Sequence, residues 1–294
     1  MATYSMSSAQ TWATFKEQVD DTLIKALQPK IIYNLLGKTY PATQGVMAFD
    51  DTQESWISPD EVGESGEYPG AVMRFHRNYI SMKDIGVAPR IPMNWIKDSR
   101  FDLVNEHVEE IGFGIARYLN SDMLTALNTW VAGGTYNGTT FSAVSGHVIT
   151  ATATWASSSA DIIADIANAI AVLGADNAAD GKKYLIIHPT PFQYVMTDPN
   201  FLKYINYGNA DLIQRGIYPT PFGVTFLVTS QAATTYALMV NVDMSAIKYY
   251  EREPLTTTLE YHARTNHLDL VVRMRYAFAC GRPKGIVKIN TIAS

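Results

Sequence analysis

The sequence predicts an α+β protein, and three observations carry that reading. From Asp98 to Trp130 the apolar residues fall at Phe101, Val104, Val108, Ile111, Ile115, Leu119, Met123, Leu127 and Trp130. Steps of three and four throughout make one stripe of an α-helix. Between residues 159 and 242 a second helical pattern is followed by short apolar runs of strand length, the texture of a compact α/β module. From residue 243 onward the chain is dominated by long runs of strand-forming residues.

Taken in order, residues 10–28 read as an amphipathic helix, with Trp12, Phe15, Val19, Leu23 and Leu27 on one face and Pro29 as its stop. The stretch to Ala48 contains Gly37, Pro41 and Gly45 and reads as an extended arm. Residues 49–88 change character. Asp50, Asp51, Glu54, Asp60, Glu61, Glu64 and Glu67 crowd its first half, Gly63, Gly66, Pro69 and Gly70 mark a turn, and residues 71–80 alternate apolar and polar. This is a long β-hairpin with an acidic limb, and its apolar content is too thin for a core of its own, so it is expected to lean on something else.

Pro89 and Pro92 lead into the long helix. At ~1.5 Å per residue it spans about 45–50 Å. Its charges (Asp102, Glu106, Glu109, Glu110, Arg117 and Asp122) exclude a membrane span. Gly112 and Gly114 lie in mid-helix, each costing ~1 kcal/mol, and are where the rod is expected to bend. Residues 133–138 read as a flexible turn, and a Ser/Thr/Ala-rich stretch runs to Ser159. Ser158 and Asp161 have capping-box spacing for a helix with Ile162, Ile163, Ile166, Ile170 and Leu173 inward. Residues 184–187 are a buried strand, and His188 to Pro191 open a short helix through Met196. Residues 222–228 and 236–240 are further core strands, followed by 256–261, 268–276 and a terminal strand at 285–289.

Composition narrows the function. Of 294 residues, 47% are hydrophobic, so a full core is available, but only 17% are charged. That is low for a protein that must stay apart from its copies, and it fits a surface partly covered by other subunits. The seventeen tyrosines and five tryptophans suit either an interface or a core. Net charge is −5 and no run of Lys or Arg occurs, which argues against tight or specific DNA binding. The single cysteine, Cys280, excludes an internal disulfide framework and reads as a buried small hydrophobe. The first residues have neither a basic nor an apolar signal region, so a reducing cytoplasm is the expected place of synthesis. From Lys248 to Lys288 there are eight basic residues against four acidic, while the segment 50–67 is acidic only. Opposite patches of this kind register copies against one another. Arg264, Arg273 and Arg275 are the expected partners of the acidic limb.

Catalytic signatures are missing. No phosphate-binding glycine loop or nucleophile elbow occurs, and Gly112-Phe113-Gly114 lies within a helix. The six histidines show no zinc-ligand spacing with a carboxylate helper, and His262 and His267 read as surface residues flanking a turn. Glu109 and Glu110 point apart on their helix. No cofactor, metal or catalytic residue is expected.

The order of elements resembles the major capsid protein of tailed viruses with the Hong Kong 97 phage-type fold. The local matches are RIPMNWIKDSRFDLVNEHVEEIGFGIARYLNSDML for a spine helix, YLIIHPTPFQYVMTDPNF and GIYPTPFGVTFLVTS for the A-domain, and VVRMRYAFACGRPKGIVKI for the end of the P-domain. The resemblance implies an N-terminal arm (1–48), an E-loop hairpin (49–88), a P-domain spine (89–140), an A-domain (141–242) and returning P-domain strands (243–294). It further implies hexamers and pentamers closing an icosahedral shell around double-stranded DNA without sequence-specific binding. The E-loop of one subunit would lie over the P-domain of the next, and the arm would clasp another copy. The chain begins almost at the arm, so scaffolding is expected from a separate protein or from a segment already removed, and a portal is a further expected partner. Some relatives crosslink an E-loop lysine to a neighbouring asparagine. Here no lysine lies between Lys38 and Lys83, so no such crosslink is expected. A cellular cargo shell of the same fold, an encapsulin, is the nearest alternative. An oligomeric α/β enzyme with a pocket near His188, Tyr194 and Asp198 is the distant one.

Overall fold

The computed structural model describes residues 17, 19–25, 31–51, 76–94, 101–199, 221–245 and 247–293. In chain order its elements are α1 (Tyr33–Leu36), β1 (Lys38–Pro41), β2 (Val46–Asp51), β3 (His76–Ser81), β4 (Lys83–Val87), β5 (Arg90–Pro92) and α2 (Phe101–Ala132). There follow β6 (Gly134–Tyr136), β7 (Thr139–Phe141), β8 (Val148–Thr150), α3 (Ile162–Ala175), β9 (Lys183–Ile187) and α4 (Pro189–Thr197). The chain closes with β10 (Val224–Val228), β11 (Tyr236–Asn241), α5 (Val242–Ser245), β12 (Ile247–His262), β13 (His267–Cys280) and β14 (Ile286–Asn290). They form two compact units. One draws on residues up to 45, 82–123 and 249–277, the other on 46–81, 124–248 and 278–294. No helix among the described residues is long and apolar enough to cross a membrane.

In the first unit the strand order is β1-β12-β13-β4, with β5 also on β13. β4 and β5 share one edge of β13, Val272 facing Val87 and His267 facing Pro92. The helix at residues 19–25 buries Val19 and Leu23, and the Asp20 carboxylate accepts a hydrogen bond from the Thr257 hydroxyl. Trp12, Phe15 and Leu27 lie outside the described residues. The stretch expected as an extended arm is interrupted by α1, and its β1 is an edge strand on β12 of its own subunit. The reason is backbone satisfaction. The Ala42 amide donates to the Glu251 carbonyl (2.8 Å) and the buried Ile32 amide donates to Asn120 Oδ1 (2.9 Å). Tyr33 stacks on Tyr249 (4.2 Å between centroids) and Tyr249 on Tyr276 (5.9 Å), whose hydroxyl donates to Asp122 on α2 (2.9 Å). Tyr249 and Tyr276 are core and Tyr33 is half-buried, whereas Tyr40, Tyr118 and Tyr261 are exposed.

In the second unit the sheet order is β10-β9-β11-β14-β8. β10 and β9 are parallel, as are β14 and β8, while β11 is antiparallel to both its neighbours. Ile162, Ile166, Ala169 and Leu173 of α3 pack into one core with Leu185, Ile187, Met239, Val287 and Ile289. Two expectations are corrected here. α3 starts at Ile162, not near Ser158, because the Asp161 carboxylate itself accepts the Ala164 amide (3.0 Å) and caps the helix. The turn expected at residues 133–138 is narrower: residues 134–136 are strand β6, and Asn137-Gly138 alone turn the chain into β7. Asn137 (φ 51°) and Gly138 (φ 79°) both take positive φ, which is what a two-residue primed turn requires.

Buried His147 is held between β14 and the end of α3. Its Nδ1 lies 2.8 Å from the Ile286 carbonyl and its Nε2 2.6 Å from Asp176 Oδ2, while Lys284 Nζ donates to Asp176 Oδ1 (2.9 Å). Burial alone would raise the Asp176 pKa, but the hydrogen bonds and charges of Lys284 and His147 outweigh it and hold the carboxyl below its ordinary value. A depressed carboxyl contributes stability that is present above its unfolded pKa, about 4, and is lost as pH falls through the lower folded value. Urea midpoints taken from neutral to acid pH are therefore expected to fall more steeply for the wild type than for Asp176→Asn. Parallel curves would contradict the linkage.

Candidate assembly surface

The root of the acidic hairpin is an antiparallel pair in which Ala48 faces Tyr79, Asp50 faces Arg77 and Asp51 faces His76. Alternation along the strands turns Phe49 and Ile80 inward and leaves Val46 and Tyr79 exposed. The root leans on β6–β7. Asn137 Nδ2 donates to the Ser81 carbonyl (2.8 Å), the Thr139 hydroxyl donates to the Tyr79 carbonyl, and Phe49 stacks near Phe141 (6.5 Å). The side chains of Asp50 and Asp51, and all of Glu54, Asp60, Glu61, Glu64 and Glu67, lie outside the described residues.

The basic residues divide between the two units. Lys284 and Arg282 are engaged with Asp176 in the second unit, and Lys288 sits over the Tyr236 ring (4.3 Å), its pKa lowered by desolvation. In the first unit Arg275 is 29% exposed and lies 3.7 Å from Asp84 and 3.5 Å from Glu253. Arg273 is 61% exposed with Glu253 only at 4.0 Å, and Arg264 is exposed in the turn between β12 and β13. Arg264 and Arg273 present their charge outward.

α2 is continuous through both glycines. Gly112 is buried, while at Gly114 an added Cβ would meet nothing within 4 Å. Gly114→Ala is therefore expected to stabilise the isolated subunit by about 0.5–1 kcal/mol, read from the urea midpoint. A loss of stability would show that the helix needs its glycine for a reason other than space. Gly114 opens onto a groove of about 620 Å³ that the sequence did not announce, lined by Ile85, Val87, Pro89, Ile111, Ile115 and Tyr118. Asp84 and Glu110 stand at it as well. The signal for it was Tyr118, an aromatic one position off the buried stripe of the helix.

Residues of the enzyme alternative hold helix ends. His188 Nδ1 accepts the Thr190 amide (3.1 Å) at the start of α4, and Asp198 is the residue that ends it. The expectation that no histidine pair has a carboxylate helper does not hold for His262 and His267. His262 Nε2 lies 3.1 Å from Asp269 Oδ2 and His267 Nε2 lies 3.3 Å from Oδ1. Hairpin pairing brings together what a reading for short ligand spacings keeps separate.

Comparison with known proteins bears on this architecture. A family model described as phage capsid protein matches residues 90–289. The chain belongs to that family. No curated protein sequence matches it. Among solved structures, a virus-like particle from Pyrococcus furiosus is similar at 12% identity, covering 94% of this chain and 99% of that one with a TM-score of 0.64. A Microbacterium phage Oxtober96 structure is similar at 14% identity, 88% and 90% coverage and a TM-score of 0.62. The SrpI encapsulin complex of Synechococcus elongatus is similar at 11% identity, 91% and 89% coverage and a TM-score of 0.58. The fold is the Hong Kong 97 phage-type capsid fold, and the chain is a major capsid protein. As a member of the phage capsid protein family it forms part of the virion capsid. Family and fold are structural rather than catalytic.

Proposed function

We propose that copies of this capsid protein form hexamers and pentamers that close an icosahedral shell around double-stranded DNA in the host cytoplasm. Separate scaffolding and portal proteins assist, and the DNA is enclosed without sequence-specific contacts. The family match over residues 90–289 carries the reading. The proposed parts are the arm at 1–48, the E-loop at 49–88, the spine at 89–140, the A-domain at 141–242 and the P-domain strands at 243–294. The acidic hairpin of one copy, Asp50, Asp51, Glu54, Asp60, Glu61, Glu64 and Glu67, lies over Arg264, Arg273 and Arg275 of the next. Arg264 and Arg273 contribute most, since Arg275 is already paired within its own subunit. The spine bends at Gly112 and Gly114 as the shell forms.

The test is electron microscopy of the purified protein alone and with its scaffold. Closed shells or rings of five and six copies are expected, and a uniform small oligomer under every condition would sink the reading. An encapsulin-type cargo shell is the second reading, favoured by the similarity to the SrpI complex. Contents decide it: DNA for the capsid, an enzyme for the cargo shell. No covalent network is expected between subunits, because Lys83 is bonded to Asp122 within its own subunit and no other lysine lies in the hairpin. Shells boiled in detergent should run at the monomer mass of 32.5 kDa, and a ladder of very large species would contradict this.

A further inference from the structure

We propose that His262, His267 and Asp269 bind one divalent transition-metal ion of the zinc class at the free end of the β12–β13 hairpin. The ligand atoms of the three residues all lie within 4.8 Å of one another. The hairpin creates the set. His267 and Asp269 are two apart on β13 and so share a face, and the turn at 263–266 brings His262, the last residue of β12, alongside. The imidazoles stack with centroids 4.8 Å apart, both Nε2 atoms turned to the one carboxylate.

Distances and chemistry both suit the ion. A tetrahedral centre with bonds of about 2.0–2.1 Å has edges of about 3.3–3.4 Å between ligand atoms. The two nitrogen–oxygen separations here, 3.1 Å from His262 to Oδ2 and 3.3 Å from His267 to Oδ1, are near that length, each imidazole facing its own oxygen of the one carboxylate. Asp269 Oδ1 is a buried acceptor with no hydrogen bond of good geometry among the described residues. Its neighbours are His267 Nε2 and, at 3.6 Å, Arg90 Nε. The Arg90 side chain is 75% exposed, so it can swing into water when a cation arrives. Two imidazoles and one carboxylate select a borderline ion, because magnesium and calcium prefer oxygen ligands alone. His262 is 46% exposed, which leaves the remaining coordination position to water. The bound ion ties the end of β12 to the start of β13 across the turn.

The experiment uses the full-length chain without a histidine tag, stripped of metal by chelator. Calorimetric titration with zinc is expected to show one equivalent bound. His262→Gln and His267→Ala should each weaken binding by more than about tenfold, while far-UV circular dichroism stays that of the wild type. Cobalt substituted into the wild type should give a visible d–d spectrum with no thiolate charge-transfer band. Absence of stoichiometric binding, equal binding by His262→Gln, or a charge-transfer band implicating Cys280 would each overturn the site. So would displacement of zinc by excess magnesium. His262→Gln changes an exposed side chain at a strand end, so the test survives if His267→Ala fails to fold.

Discussion

Replacing Trp130 with alanine is expected to destabilise the subunit by about 3–5 kcal/mol, the range for truncating a large aromatic in a closed core. Trp130 is fully buried near the end of α2, with the Tyr136 ring edge-on at 6.2 Å and the Phe141 ring at 6.5 Å. Those rings belong to the β6–β7 hairpin, and Phe141 in turn packs near Phe49 at the root of the acidic hairpin. The ring neighbours Tyr136 and Phe141 are themselves buried in paired strands, and a close-packed interior collapses only partly into the cavity that the indole leaves. A native domain holds only about 5–15 kcal/mol in total, so one substitution of this size removes much of the margin. Soluble yield and shell formation should fall together. Trp130→Phe is the control. The indole Nε1 has no hydrogen-bond partner among the described residues, so phenylalanine removes a buried unpaired donor along with some volume and should cost well under half as much. Urea midpoints for the pair decide it. Equal losses would place the cost in the donor rather than in the packing.

Gly285→Ala is expected to cost about 3 kcal/mol, at the upper end of overpacking effects. A Cβ there would lie 2.7 Å from both Cα and N of Ser245 and 3.0 Å from the Met244 carbonyl carbon. These are backbone atoms, which cannot rotate aside as a side-chain tip does. They are also anchored: the Ser245 carbonyl accepts the Arg282 amide (3.2 Å) and the Cys280 thiol (3.1 Å). Relief requires shifting α5 or the start of β14, and β14 lies between β11 and β8 in the sheet. Gly114→Ala supplies the contrast, since the same change at an open helical position should raise stability. Denaturant unfolding of the two variants side by side tests the argument. A change within about 0.5 kcal/mol at position 285 would show that the backbone gives way.

Reading the sequence reached far into the fold because most elements announce themselves locally. The stripe from Val108 through Ile115, Leu119, Met123 and Leu127 to Trp130 is buried as its spacing required. The strands at 184–187 and 236–240, the short helix after His188 and the buried Cys280 also stand where local pattern put them. The order of those elements pointed to the capsid family that the match over residues 90–289 establishes. Less was legible where a local signal was weighed without its geometry. The Asn137-Gly138 pair is a primed-turn signal, yet the glycine-rich context suggested flexibility instead. The Ser158–Asp161 spacing suggested a capping box, yet Asp161 is the cap.

By itself, the sequence determined the periodicities: where the helices and core strands run, which faces are apolar, and that no disulfide framework exists. These follow from hydrophobic spacing and residue chemistry, which act over a few positions. Only the tertiary structure decided which distant residues meet. It made β1 an edge of its own subunit's sheet, and it assigned Arg273 and Arg275 to one unit and Lys284 and Lys288 to the other despite their closeness in sequence. It paired Lys83 with Asp122 and brought His262 and His267 to one carboxylate. The physical reason is that charge pairing and ligand sets depend on distances of a few ångströms between strands and helices. Register and turn geometry set those distances, and no count along the chain contains them.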